Sequence, residues 1–225
     1  MKNVAGYDVS RLMVGSLGCL GLILDATMKV VPKPKSETTY RFNIEPQKMN
    51  AFVSQLQARG LPVSASCHDS EALFLRFSGE ENEILNLPKA LKKHFSFIEF
   101  EETQELNFWK SVKEHQHPFF EQTRNLWRFS VPADTPAIAI PGNMFYEWNG
   151  SLRWLYSDAS ADEIFMKAEE SGGSACLFKA DPFESENITQ RFQPLSPTLS
   201  TWHKRLKLAF DPDQLFNHGR LYREF

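Results

Sequence analysis

Cysteine is scarce in this sequence, and the three that occur, Cys19, Cys67 and Cys176, are widely separated and odd in number. No pair has the close spacing of a zinc or dithiol motif, so neither a metal site nor a disulfide framework is expected, and the thiols read as reduced. There is no apolar run near the roughly 20 residues that a membrane-crossing helix needs, and no basic-then-apolar leader at the start. Neither sign of charge dominates: 25 basic and 28 acidic side chains give a net charge of -3. That balance leaves no positive field for nucleic acid or an anionic membrane. Also missing are a kinase- or ATPase-type phosphate loop and a compelling Ser-His-Asp or Cys-His order. The expectation from these absences is a cytoplasmic chain. What the sequence does have is core-forming material, 42% hydrophobic and 13% aromatic over 225 residues, enough for one large domain or two small ones.

The opening stretch carries four of the eleven glycines, at positions 6, 15, 18 and 21. Asp8 is placed to cap a short helix over Val9 to Val14, which runs into Gly15 and a tight turn. From Leu22 to Val31 apolar residues alternate, at Leu22, Leu24, Ala26, Met28 and Val30, as in a strand that Pro32 and Pro34 stop. The PKPKS segment that follows reads as a boundary.

Beyond it the patterning predicts a strand at Thr39 to Glu45, a helix from Pro46 to Arg59 with Gly60 as its stop, and strands at Ser64 to His68 and Ala72 to Phe77. A helix from Glu80 to Phe95, with Ile84, Leu87, Leu91 and Phe95 on one face, and a strand at Phe97 to Phe100 complete the order βαββαβ, a ferredoxin-like unit. The order returns less cleanly from Leu126: strand, irregular stretch, strands at Asn143 to Trp148 and Leu152 to Ser157, helix Ala161 to Glu170, strand Ala175 to Lys179. Asn149-Gly150 is the strongest hairpin signal. Glu102 to Gln122 is expected to be helical between the halves. Leu199 to Phe210 is expected to be an amphipathic helix with Trp202, Leu206 and Phe210 inward, and the tail with Leu215, Phe216, Leu221 and Tyr222 is expected to pack. The fold class is therefore α+β, antiparallel sheets with helices.

Two segments at opposite ends of the chain resemble the FAD-linked oxidases and dehydrogenases of the vanillyl-alcohol oxidase type. KNVAGYDVSRLMVGSLGCLGLILDATMKVVPKP is similar to the end of that family's flavin domain, and FDPDQLFNHGRLY to its C-terminal signature. The wording KNVAGYDVSRL with FNHGRLY resembles the FAD-binding subunit of bacterial glycolate oxidase. By this resemblance residues 1–35 are a remnant of an FAD-binding domain, and 36–198 an α+β cap with ferredoxin-like halves at about 39–101 and 125–180. Residues 199–225 are then the return to the flavin domain. The family's earlier glycine-rich pyrophosphate loop is not in this chain.

Glycines at 15, 18 and 21 leave backbone N–H groups unshielded, which suits contact with a dinucleotide and equally suits tight turns alone. The resemblance implies FAD as cofactor and a cofactor-binding role for Gly15, Ser16, Gly18, Cys19, Gly21, Leu22, Asn217 and Gly219. Cys19 stands where threonine is usual, and Leu17 where many catalytic relatives carry Glu. On the substrate side two residues stand out. His218, where proline is usual, is either a solvated turn residue or a base for a 2-hydroxy acid, and Arg220 is either a carboxylate partner for substrate or a structural pair. His115 and His117 form an H-x-H pair whose side chains would diverge on a helix, against shared metal ligation. FYEWNGSLRWLY reads as sheet packing rather than a substrate wall.

The resemblance implies a subunit of a glycolate oxidase complex, with a larger flavin subunit and an iron–sulfur subunit as partners. No catalytic residue is assigned here, and activity by this chain alone is not expected. The alternative is a non-catalytic cap or assembly fragment that docks onto partner subunits, self-association being one way to cover its exposed strand. A third reading is a small-molecule binder using a cleft between the two α+β halves.

Overall fold

Leu73, Leu75 and Phe77 point to one side of their strand and Phe74 to the other, and this period of two organises the larger part of the molecule. The computed structural model describes residues 8–95, 98–103, 107–182 and 190–224. These fall into two compact units, Pro32–Thr189 and the pairing of Met1–Val31 with Gln190–Phe225.

The first unit is built on one eight-stranded sheet in the order β4-β1-β3-β2-β6-β7-β5-β8. Its strands are β1 Ser36–Phe42, β2 Val63–His68, β3 Leu73–Gly79, β4 Phe100–Glu102, β5 Leu126–Ser130, β6 Asn143–Glu147, β7 Leu152–Tyr156 and β8 Ser174–Lys179. Every pairing is antiparallel. The order 4-1-3-2 of the first four strands is that of a ferredoxin-like unit, and the last four repeat it in mirror sequence. The two expected sheets are thus one, joined where Cys67 meets Glu147 and His68 meets Tyr146.

Helices α2 (Met49–Ala58), α3 (Glu81–His94) and α5 (Ala161–Glu170) cover one face. They bury Val53, Leu56, Leu91, Ile164 and Ala168 against Phe42, Leu75, Phe77, Phe129 and Leu155. Pro46 opens a 3-10 turn before α2, and Gly60 past its end has φ +74°, a left-handed conformation that glycine adopts without a Cβ penalty. The opposite face is covered only in part, by α4 (Phe108–Lys113) and a 3-10 turn at Pro118–Glu121, which set Phe108, Val112 and Phe120 against Phe74, Phe145 and Trp154.

The helix expected over Glu102 to Gln122 is therefore much shorter. His115 has φ +53°, which breaks it, and Pro118 cannot continue the hydrogen-bond ladder. The His115 ring stacks on Phe120, while His117 Nδ1 accepts from the Phe119 N–H at 3.2 Å. The fourth strand lies at Phe100–Glu102, displaced from the expected Phe97 to Phe100; Phe97 is outside the described residues. At the hairpin, Glu147 pairs with Leu152, and Trp148, Asn149 and Gly150 all take positive φ.

The second half has no first helix. Residues 131–142 take its place and are held by Arg153, buried on β7, whose guanidinium donates to the carbonyls of Gly150, Pro136 and Thr135.

The second unit contains α1 (Val9–Met13) and α6 (Pro197–Phe210). Leu22 to Val31 forms no strand. It has no hydrogen-bonding neighbour among the described residues, and Leu22, Leu24, Met28 and Val30 are exposed. A strand exists only with a partner for its N–H and C=O groups, which alternation alone does not supply. On α6, Trp202 is 56% exposed and Phe210 38%, and the helix's buried residue is Lys207. The tail packs only in part: Leu215 is exposed, whereas Leu221 and Tyr222 are half-buried and the Tyr222 hydroxyl donates to the Gln193 carbonyl at 3.0 Å.

Candidate cofactor-contact site

Asp8 caps α1, its Oδ1 accepting from the Arg11 N–H at 3.0 Å. The chain then coils tightly, with Gly15, Leu17 and Gly18 at φ +83°, +51° and +74°. Ser16 and Cys19 turn inward and are buried, while Leu17 turns out.

At the other end of the chain Ser196 caps α6, and the helix delivers Lys207 and then Asp211 to the interior. Their side chains are only 3% and 2% exposed. The Lys207 ammonium donates to Asp211 Oδ2 at 2.5 Å, to the Cys19 carbonyl at 2.8 Å and to the Phe216 carbonyl at 2.6 Å, which accounts for all three of its protons. Asp211 also accepts from the N–H groups of Leu215 and Phe216, both at 2.9 Å. Burial alone would raise the Asp211 pKa. The hydrogen bond from Lys207, those from the Phe216 and Leu215 backbone, and the Lys207 charge together outweigh it and hold the carboxyl at about 2.

This ion pair orients the return loop so that Asn217, at φ +40°, lies on the glycine loop. Asn217 Nδ2 donates to the Leu17 carbonyl at 2.8 Å, and the Asn217 carbonyl accepts from Cys19 Sγ at 3.4 Å and from the Arg220 N–H at 3.1 Å. A Cβ on Gly18 would stand 2.9 Å from Asn217 Nδ2, so the missing side chain makes room for that amide.

The structure thus brings Gly18, Cys19 and Asn217 together, with Ser16 buried beside them. Gly15 and Gly21 lie outside that contact, with nothing within 4 Å of where a Cβ would point. Among the described residues the N–H groups of Gly21 and Leu22 meet no acceptor. Leu22, His218, Gly219 and Arg220 are exposed, and neither His218 nor Arg220 makes an ion pair among the described residues. The KNVAGY part of the opening motif lies outside the described residues. Lys207 escaped the sequence reading. Its signal was the i,i+4 spacing to Asp211, which usually marks a solvated surface pair.

The unit formed by Pro32–Thr189 has its own concavity of about 600 Å³ on the partly covered face of the sheet, reaching across the β2–β6 junction. Ser66, Arg76, Arg128, Trp109, Trp148 and Trp154 are among its walls. Arg76 lies over the Trp109 ring and Arg128 over Trp148. The Glu147 carboxyl on the same wall is pushed up by burial, although it accepts from Trp154 Nε1 at 2.7 Å.

No family model matches the sequence. Glycolate oxidase subunit GlcE of Escherichia coli K12 is 39% identical over 224 residues, which cover 100% of this chain and 60% of that protein. Glycolate oxidase subunit GlcD of the same organism is 24% identical across 96% of this chain and 54% of its own length. GlcD of Bacillus subtilis 168 matches locally, 55% identical over 38 residues. Among solved structures, an alkyldihydroxyacetonephosphate synthase shares the fold at a TM-score of 0.50 and 14% identity, over 95% of this chain and 49% of that one. The chain is therefore similar to the glycolate oxidase subunit GlcE along its whole length and to GlcD more weakly, and it spans less than two thirds of either.

Proposed function

We propose that the chain is part of an FAD-linked oxidoreductase subunit of the glycolate oxidase type, and that its Gly15 to Leu22 loop and its Asn217 to Gly219 return contribute contacts to the flavin. The observation that carries this reading is the clasp of Asn217 on Leu17 and Cys19, which draws together the two ends of the chain in a protein that matches GlcE throughout. The donor set suits the group. Gly15 and Gly21 present open backbone, and the Gly21 and Leu22 N–H groups have no acceptor within the described chain, as contact with a dinucleotide's anionic or carbonyl oxygens requires. When bound, FAD would supply the hydride-accepting chemistry, and the residues here would position it.

The partners under this reading are a larger flavin subunit of the GlcD kind and an iron–sulfur subunit, with a 2-hydroxy acid as the substrate of the complex. The second reading, a cap or assembly element without its own flavin affinity, draws on the partial span of GlcE. Titrating the purified chain with FAD, followed by fluorescence quenching and the visible spectrum, separates the two. Micromolar or tighter binding, weakened in Asn217→Ala, supports the first. No binding at millimolar FAD leaves the assembly reading.

A further inference from the structure

Strand alternation gathers charge on one face of the sheet. Leu75 and Phe77 flank Arg76, and Trp127 and Phe129 flank Arg128; the four apolar neighbours are buried under α2, α3 and α5, which leaves both arginines to the partly covered face. Their strands, β3 and β5, are separated in the sheet by β2, β6 and β7, so the two arginines rise from opposite sides of the concavity of about 600 Å³. That volume is in the range of small-molecule sites, about 300–1,000 Å³.

The wall is cationic in a chain whose net charge is -3. Among the described residues Arg76, Lys113 and Arg128 line it against a single carboxyl, that of Glu147, which already accepts from Trp154 Nε1. Arg76 and Lys113 have carboxylates beside them outside the concavity, Glu37 at 3.7 Å and Glu114 at 3.3 Å. Arg128 is different: it is half-buried and has no hydrogen-bond acceptor or ion-pair partner among the described residues. A partly desolvated guanidinium with its fork open suits an anion, and a carboxylate matches that fork with two parallel hydrogen bonds.

An indole stands next to it. The Arg128 guanidinium carbon lies 6.0 Å from the centroid of the Trp148 ring. Trp148 is 63% exposed and takes φ +51°, and Asn149 follows at +58°. Left-handed backbone is unfavourable for a bulky residue. Ser66 holds this turn, its Oγ accepting from the Asn149 N–H and donating to Asn149 Oδ1, both at 2.8 Å. Trp148 belongs to none of the apolar clusters of the unit, so packing does not account for where the ring is held. An exposed indole beside a guanidinium, with no core to pack on, has the makeup of a stacking surface.

We propose that this concavity binds a small planar aromatic carboxylate, the carboxylate held by the Arg128 fork and the ring laid against the Trp148 indole. A two-carbon acid would leave most of the volume and the indole face unfilled, and a neutral aromatic would leave Arg128 without an acceptor. The site uses residues of the Pro32–Thr189 unit alone and does not depend on flavin contact.

The test is calorimetric titration of the full chain, in flavin-free buffer, with 2-naphthoate, its neutral isostere 2-naphthamide, and glycolate. The expected result is saturable one-to-one binding of 2-naphthoate with a submillimolar Kd, at least about tenfold tighter than either of the others. Arg128→Gln weakens it at least about tenfold, and Trp148→Ala about threefold or more. Arg124→Gln, which removes an exposed arginine paired with Asp158 outside the concavity, leaves it unchanged. The proposal is overturned by the absence of saturable binding, by 2-naphthamide or glycolate binding as tightly as 2-naphthoate, or by equal affinities in folded Arg128→Gln and the unaltered chain. The comparison of the three ligands is made on the unaltered chain, so it decides the matter whatever the variants do to stability. Since FAD is absent throughout, none of these outcomes bears on flavin affinity.

Discussion

The side-chain amide of Asn217 donates to the carbonyl oxygen of Leu17 across 200 residues of sequence, at 2.8 Å. Local chain geometry prepares both ends. Leu17 and Gly18 hold positive φ, and Asn217 is itself left-handed. A bond between such distant segments orders the loop only while the segments that present its two ends are fixed, and here Lys207 and Asp211 fix the return loop.

Gly18→Ala is expected to damage this contact more than Gly15→Ala. Both positions have positive φ, which costs a residue with a Cβ about 1 kcal/mol. At Gly18 the new Cβ also meets Asn217 Nδ2, raising the total to about 1–3 kcal/mol, whereas at Gly15 it enters open space. Hydrogen exchange at residues 215–220 reads the difference; equal effects would mean that the clasp adds nothing to backbone strain.

The Lys207–Asp211 pair should make the same loop acid-sensitive. Asp211 has a folded-state pKa of about 2, below the roughly 3.9 of an unfolded aspartate. Its stabilising contribution is therefore complete above about pH 4 and is lost as pH falls from there through about 2. Asp211→Asn removes this dependence and leaves the buried ammonium without its counter-charge, loosening the return loop at neutral pH. Limited proteolysis of the tail between pH 7 and pH 3 checks both points.

His68 predicts a second pH effect, in the sheet. It is buried, its Nδ1 accepts from the Ser70 N–H at 3.0 Å, and its Nε2 lies 2.7 Å from the Ile44 carbonyl, so the proton belongs on Nε2 and the ring is neutral. Burial lowers its pKa, more than the Ile44 carbonyl and Asp69 raise it. Stability should then be full above the unfolded value of roughly 6.5 and fall as pH drops through the lower folded value. Urea denaturation at pH 7.5 and 5.5 measures the loss, and His68→Gln should flatten it.

Arg153→Met should release the stretch that replaces the missing helix. Three backbone carbonyls lose a charged donor, a cost of about 2–4 kcal/mol. Arg153→Lys should recover only part of it, since one ammonium cannot span the fork of acceptors. Thermal unfolding ranks the three proteins, and exchange at residues 133–140 localises the effect.

Much of the larger unit is determined by the sequence alone, because its signals act over a few residues. Apolar alternation in Leu73–Gly79, the 3.6-residue stripe Ile84, Leu87 and Leu91, the stop at Gly60 and the Asn149-Gly150 turn are each local and agree with one another, so the βαββαβ order was legible, as was the incomplete repeat after Leu126. Motifs at the two ends likewise pointed to one family. Tertiary structure decided what depends on partners distant in sequence. The pairing of Cys67 with Glu147 and His68 with Tyr146, which merges two sheets into one, has no local signature. Nor could spacing reveal that Lys207 would be buried and Trp202 exposed, since an amphipathic pattern names the face suited to burial and the available neighbours decide which face is covered. Leu22–Val31 makes the same point: its alternation is that of a strand, but a strand requires a second chain segment to bond with, and the described chain supplies none.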